Sequence, residues 1–530
     1  MIDASSEVEG GVMPPRIPDY TVHIKDYGAL ADGLSDNTEI FNRVLKEVAR
    51  RGGGRVVVGA GVYRTGPIHL QSRVELHMDA GAVVYFSRNF DDYRLIQAWF
   101  EGEPCPRTES PLDGEGVEDM AITGTGRFDG GGQAWRPVKR SKMTASAWRR
   151  LTDRGGVVNA EGTVWWPNEA ALRGEQIVRQ LKDAGHFDLA RFEPIRSYLR
   201  PTLLSLRRCR RVLLQGPTFQ NSAAWGLHLW ASQDICVRQV QVRNPWYAQN
   251  GDGLDIDSCR RVLVEQSIFD VGDDGICLKS GKDQAGRDLG MPTSDVVIRD
   301  CTIFHGHGGL TIGSEMSGGV NRIRASRLTM CGTDIGLRFK SVRGRGGIVE
   351  DVAIDQVTML DIVRQAISVD LFYQTEAASE PVRISDDTPI FRDLSLSNIT
   401  VLGAERAMMV RGLPEMPVQG LSVEGFTAKC DQGLWISDAT RLRLTHLQLE
   451  IAEGPLLSLN QCTEVFFSSL RHSGKAPAEA ATGQIEIQGE KSRDLQLDLG
   501  EGPALRVVTG DEVPSGAWCA WTSNPSEKGS

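Results

Sequence analysis

Two turns concentrate carboxylates in this chain: Asn250-Gly251-Asp252-Gly253-Leu254-Asp255 and Gly272-Asp273-Asp274-Gly275-Ile276. Asp252 lies two residues before Leu254 and Asp274 two before Ile276, so the pair occupies equivalent positions 22 residues apart. If each apolar residue opens a short strand and the strands stack in parallel, the two carboxylates come within about 5 Å of each other. Asp273 is offset by one residue, so its side chain leaves the backbone in another direction. Two carboxylates with a third nearby supply the parts of glycoside hydrolysis. One protonated carboxyl gives its proton to the leaving oxygen, and a carboxylate activates water or attacks. Crowding of like charges raises one pKa, which keeps an acid protonated near neutrality. Asp and Gly also favour turns for conformational reasons alone, and clustered carboxylates suit a hard cation such as calcium. Three Asp in register, flanked by Gly and Asn, weigh towards catalysis over both alternatives.

The following segments carry different chemistry. In Gly306-His307-Gly308-Gly309-Leu310, His307 lies three residues before the apolar position, as Asp273 does before Ile276. It is therefore expected at the equivalent place on the next rung, beside the acid. One rung later, Leu337-Arg338-Phe339-Lys340 turns two cations to the same side by strand alternation. Arginine grips a carboxylate through two parallel N–H donors, and lysine adds a point charge.

What must position these groups is a repeat. Short strands recur with an apolar–any–apolar core at Leu227–Leu229, Leu254–Ile256, Ile276–Leu278, Leu310–Ile312, Leu337–Phe339, Ile367–Val369, Met408–Val410 and Leu434–Ile436. Their starts are separated by 27, 22, 34, 27, 30, 41 and 26 residues. The shortest interval fits one coil of three strands, and the longer ones imply loops inserted between strands. Second apolar strands are expected at Ile235–Val242, Val262–Ile268 and Val296–Ile303, with Gly, Asn and Asp at the turns. The pattern predicts an all-β fold, a single-stranded right-handed parallel β-helix. With Leu254 and Ile256 inward, Asp255 and Asp257 point outward, and the same register puts His228, Lys279, Thr311, Arg338, Lys340 and Asp370 on one external face. Such a polar stripe is a groove for an extended polymer.

Asp36–Arg50 reads as an amphipathic helix, with Ile40, Val44, Leu45 and Val48 on one side, placed to cap the open end of the stack. Residues 140–200 break the repeat: Glu169–Ala184 is helical in pattern and flanked by Trp148, Trp165 and Trp166, an insertion that could wall a site. Weak strands continue at Gln484–Gln488 and Leu495–Leu499. The expected organisation is an N-terminal extension over 1–20, a β-helix catalytic domain over 21–515, and a tail over 516–530.

Composition narrows the partners. A net charge of −10 argues against a nucleic-acid partner, which would want a basic surface. An acidic protein acting on an acidic polymer must also concentrate Arg and Lys locally. No apolar run approaches transmembrane length, so no membrane partner is expected. The leading residues, with Asp3, Glu7 and Glu9, contain no apolar signal core. The ten cysteines include no CxxC pair, and Cys209, Cys259 and Cys301 read as structural thiols. No sequence feature specifies an oligomeric state.

Taken together, the residues resemble glycoside hydrolase family 28, the polygalacturonase family, whose blocks read Asn-Thr-Asp, Gly-Asp-Asp, Gly-His-Gly and Arg-Ile-Lys. Here they stand in the same order as Asn250-Gly251-Asp252, Gly272-Asp273-Asp274, Gly306-His307-Gly308 and Arg338-Phe339-Lys340. The middle residues of the first and last blocks differ. The likeness extends from Tyr27-Gly28-Ala29 through Ser222 and Lys279-Ser280-Gly281 to Phe372-Tyr373. It implies a pectin-lyase-like solenoid that hydrolyses galacturonic-acid linkages in pectic substrates by inversion, secreted or periplasmic with a cytoplasmic location as the alternative, and with no cofactor and no metal for chemistry. It also implies roles. Asp273 is the general acid, Asp252 and Asp274 hold and activate water, and His307 tunes the acid. Arg338 and Lys340 bind a galacturonate carboxylate, and Asn250, His228 and Tyr373 line the site. The 140–200 insertion and the lengthened Gly281–Ser294 segment resemble members that trim chain ends, which favours exo action. A calcium-dependent lyase on the same architecture, a rhamnogalacturonan-directed enzyme and a non-catalytic, tailspike-like sugar binder are the alternatives.

Overall fold

The computed structural model describes residues 11–375, 380–472, 483–499 and 505–521. Asp3, Glu7 and Glu9, and the end of the expected tail beyond residue 521, lie outside the described residues. The fold is a parallel β-helix, and the chain divides into two compact units, Met1–Cys277 and Leu278–Ser530.

In the first unit one coil consists of the strands Leu254–Asp257, Arg260–Glu265 and Ile268–Val271. The coil before it is built alike, and the two stack in parallel with Leu227 on Leu254, Ile235 on Val262 and Val242 on Phe269. Each column is apolar and essentially without solvent exposure, so the core grows one rung at a time by burying like against like. The expected strands Ile235–Val242 and Val262–Ile268 are each two strands, broken at Gln239 (φ 55°) and Gln266 (φ 51°). A single left-handed residue turns the corner without interrupting the apolar run, so hydropathy alone reads one strand. The strand column also starts earlier than the repeat showed. Ile68, Leu112 and Leu204 stack beneath Leu227, hidden in sequence because the insertion separates two of them.

The second unit carries Leu310, Leu337, Ile367, Met408 and Leu434 in one register, as the repeat requires, and continues the column to Leu457, Ile485 and Val507. Trp518–Trp521 is a further strand, paired from Leu495–Trp518 to Asp498–Trp521, within the segment expected as a tail. On the outside of both units arginines pair with aspartates one coil away, such as Arg261 with Asp234 and Arg322 with Asp295.

Helix α1 spans Thr38–Arg50 and buries Phe41, Val44, Leu45 and Val48. It begins two residues later than expected because Asp36 ends the strand Asp32–Asp36; the Asp36 carboxylate instead accepts the Thr38 N–H at 2.9 Å. In the insertion, α2 spans Ala145–Thr152 and α3 spans Glu169–Asp183, the latter opened by Asn168, whose Oδ1 accepts the Ala171 N–H at 2.8 Å. Ile177, Val178 and Leu181 of α3 pack on a cluster of Leu95, Phe192, Ile195 and Leu199. That cluster ties the insertion to an antiparallel hairpin of Leu95–Phe100 with Glu103–Thr108.

Candidate active site

The two acidic turns sit one on the other. The Gly253 N–H donates to the Asp274 carbonyl at 2.9 Å and the Leu254 N–H to the Gly275 carbonyl at 3.0 Å. This approach explains the glycine before the strand: a Cβ on Gly253 would lie 2.3 Å from the Gly275 carbonyl oxygen. One oxygen of each of Asp252, Asp273 and Asp274 lies within 4.8 Å of the others. Asp252 and Asp274 are buried and Asp273 is half-buried. The offset residue is thus the one that solvent or a ligand reaches most readily. The same three oxygens are close enough together to hold a cation.

Asn250, in the left-handed region at φ 52°, is held from outside its own turn. Its Oδ1 accepts from Arg200 Nη2 at 2.7 Å, and Arg200 Nη1 donates to the carbonyls of Ala223 and Gln249 at 2.9 Å. Arg200 stands at the end of the insertion, where no sequence motif marked it. Its link to the acidic turn exists only in three dimensions. Burial, then the neighbouring Arg107 charge, push the Arg200 guanidinium down to about 10, which leaves it cationic at working pH.

The expected solvent-facing stripe is corrected by the structure. Its residues leave the strands on the outer side, but Asp255, Asp257, His228, Lys279, Thr311 and Lys340 are all buried. In the first unit the hairpin roofs the stripe. Trp99 stacks on Trp230 with centroids 5.1 Å apart, and Phe100 on Trp225 at 4.1 Å. The cavity left between them, lined by Trp99, Arg107, Ser205 and His228 among others, has a volume of about 10 Å³, room for about one water. His228 lies under this roof, edge-on to Trp225 and 3.5 Å from the Asp257 carboxylate. An open groove therefore does not run the length of this unit.

In the second unit Arg338 and Lys340 gather over the Tyr373 ring, 5.6 and 5.0 Å from its centroid. His307 Nε2 stands 3.8 Å from the Asp334 carboxylate, both side chains about two-fifths exposed at 42% and 40%. Sequence reasoning missed Glu315. Its Oε2 lies 3.1 Å from Lys279 Nζ. Burial pushes the Glu315 carboxyl up, but Lys279 and Lys340 outweigh it and hold it at about 2. An acid three residues past Leu310–Ile312, among strands that turn lysines outward, was the available signal. The cysteines among the described residues form no disulfides, and burial pushes the Cys209 thiol up to about 11, as structural thiols require. No helix among the described residues is long and apolar enough to cross a membrane.

A parallel β-helix carrying three carboxylates on adjacent coils has the construction of a polysaccharide-cleaving enzyme. The family model described as glycosyl hydrolases family 28 matches residues 195–426, a span that contains all nine expected site residues. The "Probable polygalacturonase" of Vitis vinifera is 25% identical over 414 residues, covering 77% of this chain and 74% of that protein. The exo-poly-alpha-D-galacturonosidase of Dickeya chrysanthemi is 24% identical over 402 residues, covering 74% of this chain and 64% of that protein. Among solved structures, the hyperthermoactive exopolygalacturonase of Thermotoga maritima matches with a TM-score of 0.68 and 27% identity, over 88% of this chain and 92% of that one. Over residues 195–426 the chain is similar to glycosyl hydrolases family 28, and the protein is a glycoside hydrolase.

Proposed function

We propose that the protein hydrolyses α-1,4-linked galacturonic acid bonds in pectin-derived polymers or oligosaccharides, acting from a chain end and with inversion. The observation that carries the reading is the cluster of Asp252, Asp273 and Asp274 within 4.8 Å, in a chain similar to galacturonan-cleaving proteins. Asp273, the most accessible of the three, gives its proton to the leaving glycosidic oxygen. Asp252 and Asp274 hold a water between them, and one takes its proton as its oxygen attacks the anomeric carbon. Arg338 and Lys340 bind a galacturonate carboxylate, with Tyr373 as the apolar plate beneath both cations. His307 tunes the acid and Asn250 lines the site, whereas His228, buried beneath the hairpin, is too enclosed to meet the sugar.

The carboxyl separation differs from the usual inverting spacing of about 6.5–9.5 Å, which leaves room for water between one acid and one base across the sugar ring. With two carboxylates to clamp the water, that rule's premise of a single base is absent. Attack at the chain end is supported by the hairpin, which fills the face in front of His228 and leaves a cavity of only about 10 Å³ there.

Product analysis on polygalacturonate, with nuclear magnetic resonance of the first-formed anomer, tests the reading. Monomer of inverted configuration, released equally with a chelator present, is expected. A ladder of oligomers would overturn exo action, and retained configuration would overturn the water clamp. Chelator-sensitive release of an ultraviolet-absorbing unsaturated product would identify a lyase using the same carboxylates to hold calcium. Release from rhamnogalacturonan fragments alone would move the substrate within the pectic class.

A further inference from the structure

The insertion carries a concentration of charge opposite to that of the whole protein. Between Arg136 and Arg154 there are seven Lys or Arg and one acidic residue, in a chain of net charge −10. Arg136 is buried; Lys139, Arg140, Arg149, Arg150 and Arg154 are exposed and Lys142 half-buried. Elsewhere on the surface arginines pair with aspartates coil by coil, as Arg211 does with Asp119 and Arg322 with Asp295, both within 2.7 Å. Among the described residues these six cations make no ion pair with a carboxylate. Like charges held together without counter-charges repel one another, so the patch is left poised for an anion.

Its shape is that of a sugar site. Arg140, Met143, Ala145, Trp148, Arg149 and Thr152 line a cavity of about 380 Å³, inside the range of about 300–1,000 Å³ typical of ligand pockets. An indole plate flanked by two guanidinium groups suits a uronate, whose ring has an apolar face and whose carboxylate accepts a forked pair of N–H donors. The patch also touches the loop that leads to the acidic turn. Lys142, two residues after Arg140, sits 5.0 Å over the ring of Trp246. Trp246 is 52% exposed and stands on the loop that runs directly into Asn250-Gly251-Asp252.

We propose that this patch is a second binding surface for the anionic polysaccharide, holding uronate residues several sugars away from the bond being cut. The inference rests on the reading of the substrate as a polyuronate. A chain end placed at the carboxylates still leaves the rest of the polymer to be held, and a protein of this net charge otherwise repels it. Arg140, Arg149 and Trp148 supply the contacts, and Trp246 with Lys142 continues the path to the acidic turn.

The test is kinetics of the full chain carrying R140A/W148A/R149A on long polygalacturonate and on digalacturonate. Binding is read separately, by retardation in gels containing polygalacturonate or neutral galactan. The variant should raise KM on the polymer about tenfold, the scale of losing two exposed ionic contacts and an aromatic one. Activity on the dimer should stay unchanged. Retardation by polygalacturonate should fall, and the difference from wild type should shrink as salt rises. R140K/R149K should retain most polymer affinity, which separates charge from folding. Equal losses on polymer and dimer, or no change on the polymer, would overturn the proposal. So would equally tight retention by DNA or anionic vesicles, which would make the patch a site for another polyanion. Wild-type protein that is retarded by polygalacturonate yet cleaves no galacturonan would sink the catalytic reading while leaving the binding surface standing.

Discussion

At the scale of single residues, the carboxylate turns show how backbone stacking creates chemistry. Asp252 and Asp274 are close because the Gly253 and Leu254 amides bond to the next coil, and that bonding needs glycine where a Cβ would strike a carbonyl. The sequence showed this pair plainly, since equal offsets from two apolar residues are a linear fact. It showed Arg338 and Lys340 for the same reason. Arg200 was invisible, because its grip on Asn250 spans 50 residues and no spacing rule connects them. Replacing the proposed acid with Asp273→Asn keeps the side chain's size and removes its proton chemistry. Steady-state kinetics should then show kcat lowered by about 10²–10⁴ with KM nearly unchanged. An equal fall in substrate affinity would instead assign Asp273 to binding.

Among the elements, the hairpin Leu95–Phe100 with Glu103–Thr108 has the greatest functional consequence. Nothing in its own sequence announces a roof. Its role depends on Trp99 and Phe100 finding Trp230 and Trp225 on strands and turns more than a hundred residues later. If it blocks the path of the polymer, W99A/F100A should open that path. Chromatography of products from polygalacturonate should then show short oligomers beside monomer. Monomer alone from the opened variant would mean that some other element ends the groove. The broken strands at Gln239 and Gln266 make a related point. Hydropathy finds apolar runs, whereas a corner is a left-handed φ at one polar residue.

At the scale of the whole molecule, acid stability tests the buried charges. Glu315 has an ordinary carboxyl value of 4.5 and is held at about 2 by Lys279 and Lys340 after burial has pushed it up. A carboxyl whose folded value is depressed contributes stability that is fully present above the unfolded value. That contribution is lost as pH falls through the folded one. Denaturant unfolding of the protein should therefore weaken between roughly pH 4.5 and pH 2. In Glu315→Gln the loss over that window should be shallower, and stability at neutral pH should fall by about 1–3 kcal/mol because Lys279 loses the carboxylate 3.1 Å from its Nζ. Parallel acid limbs in the two proteins would show that Glu315 does not carry this dependence.

The repeating strands, the carboxylate turns, the cation pair and the amphipathic helix α1 follow from the sequence by itself, because periodicity and offset are properties of a linear string and parallel stacking preserves them. Only the tertiary structure decided that the outer stripe is roofed, that Arg200 holds Asn250, and that Glu315 meets Lys279. These depend on loops of arbitrary length folding back over the coils, and the contacts they make have no fixed spacing to read.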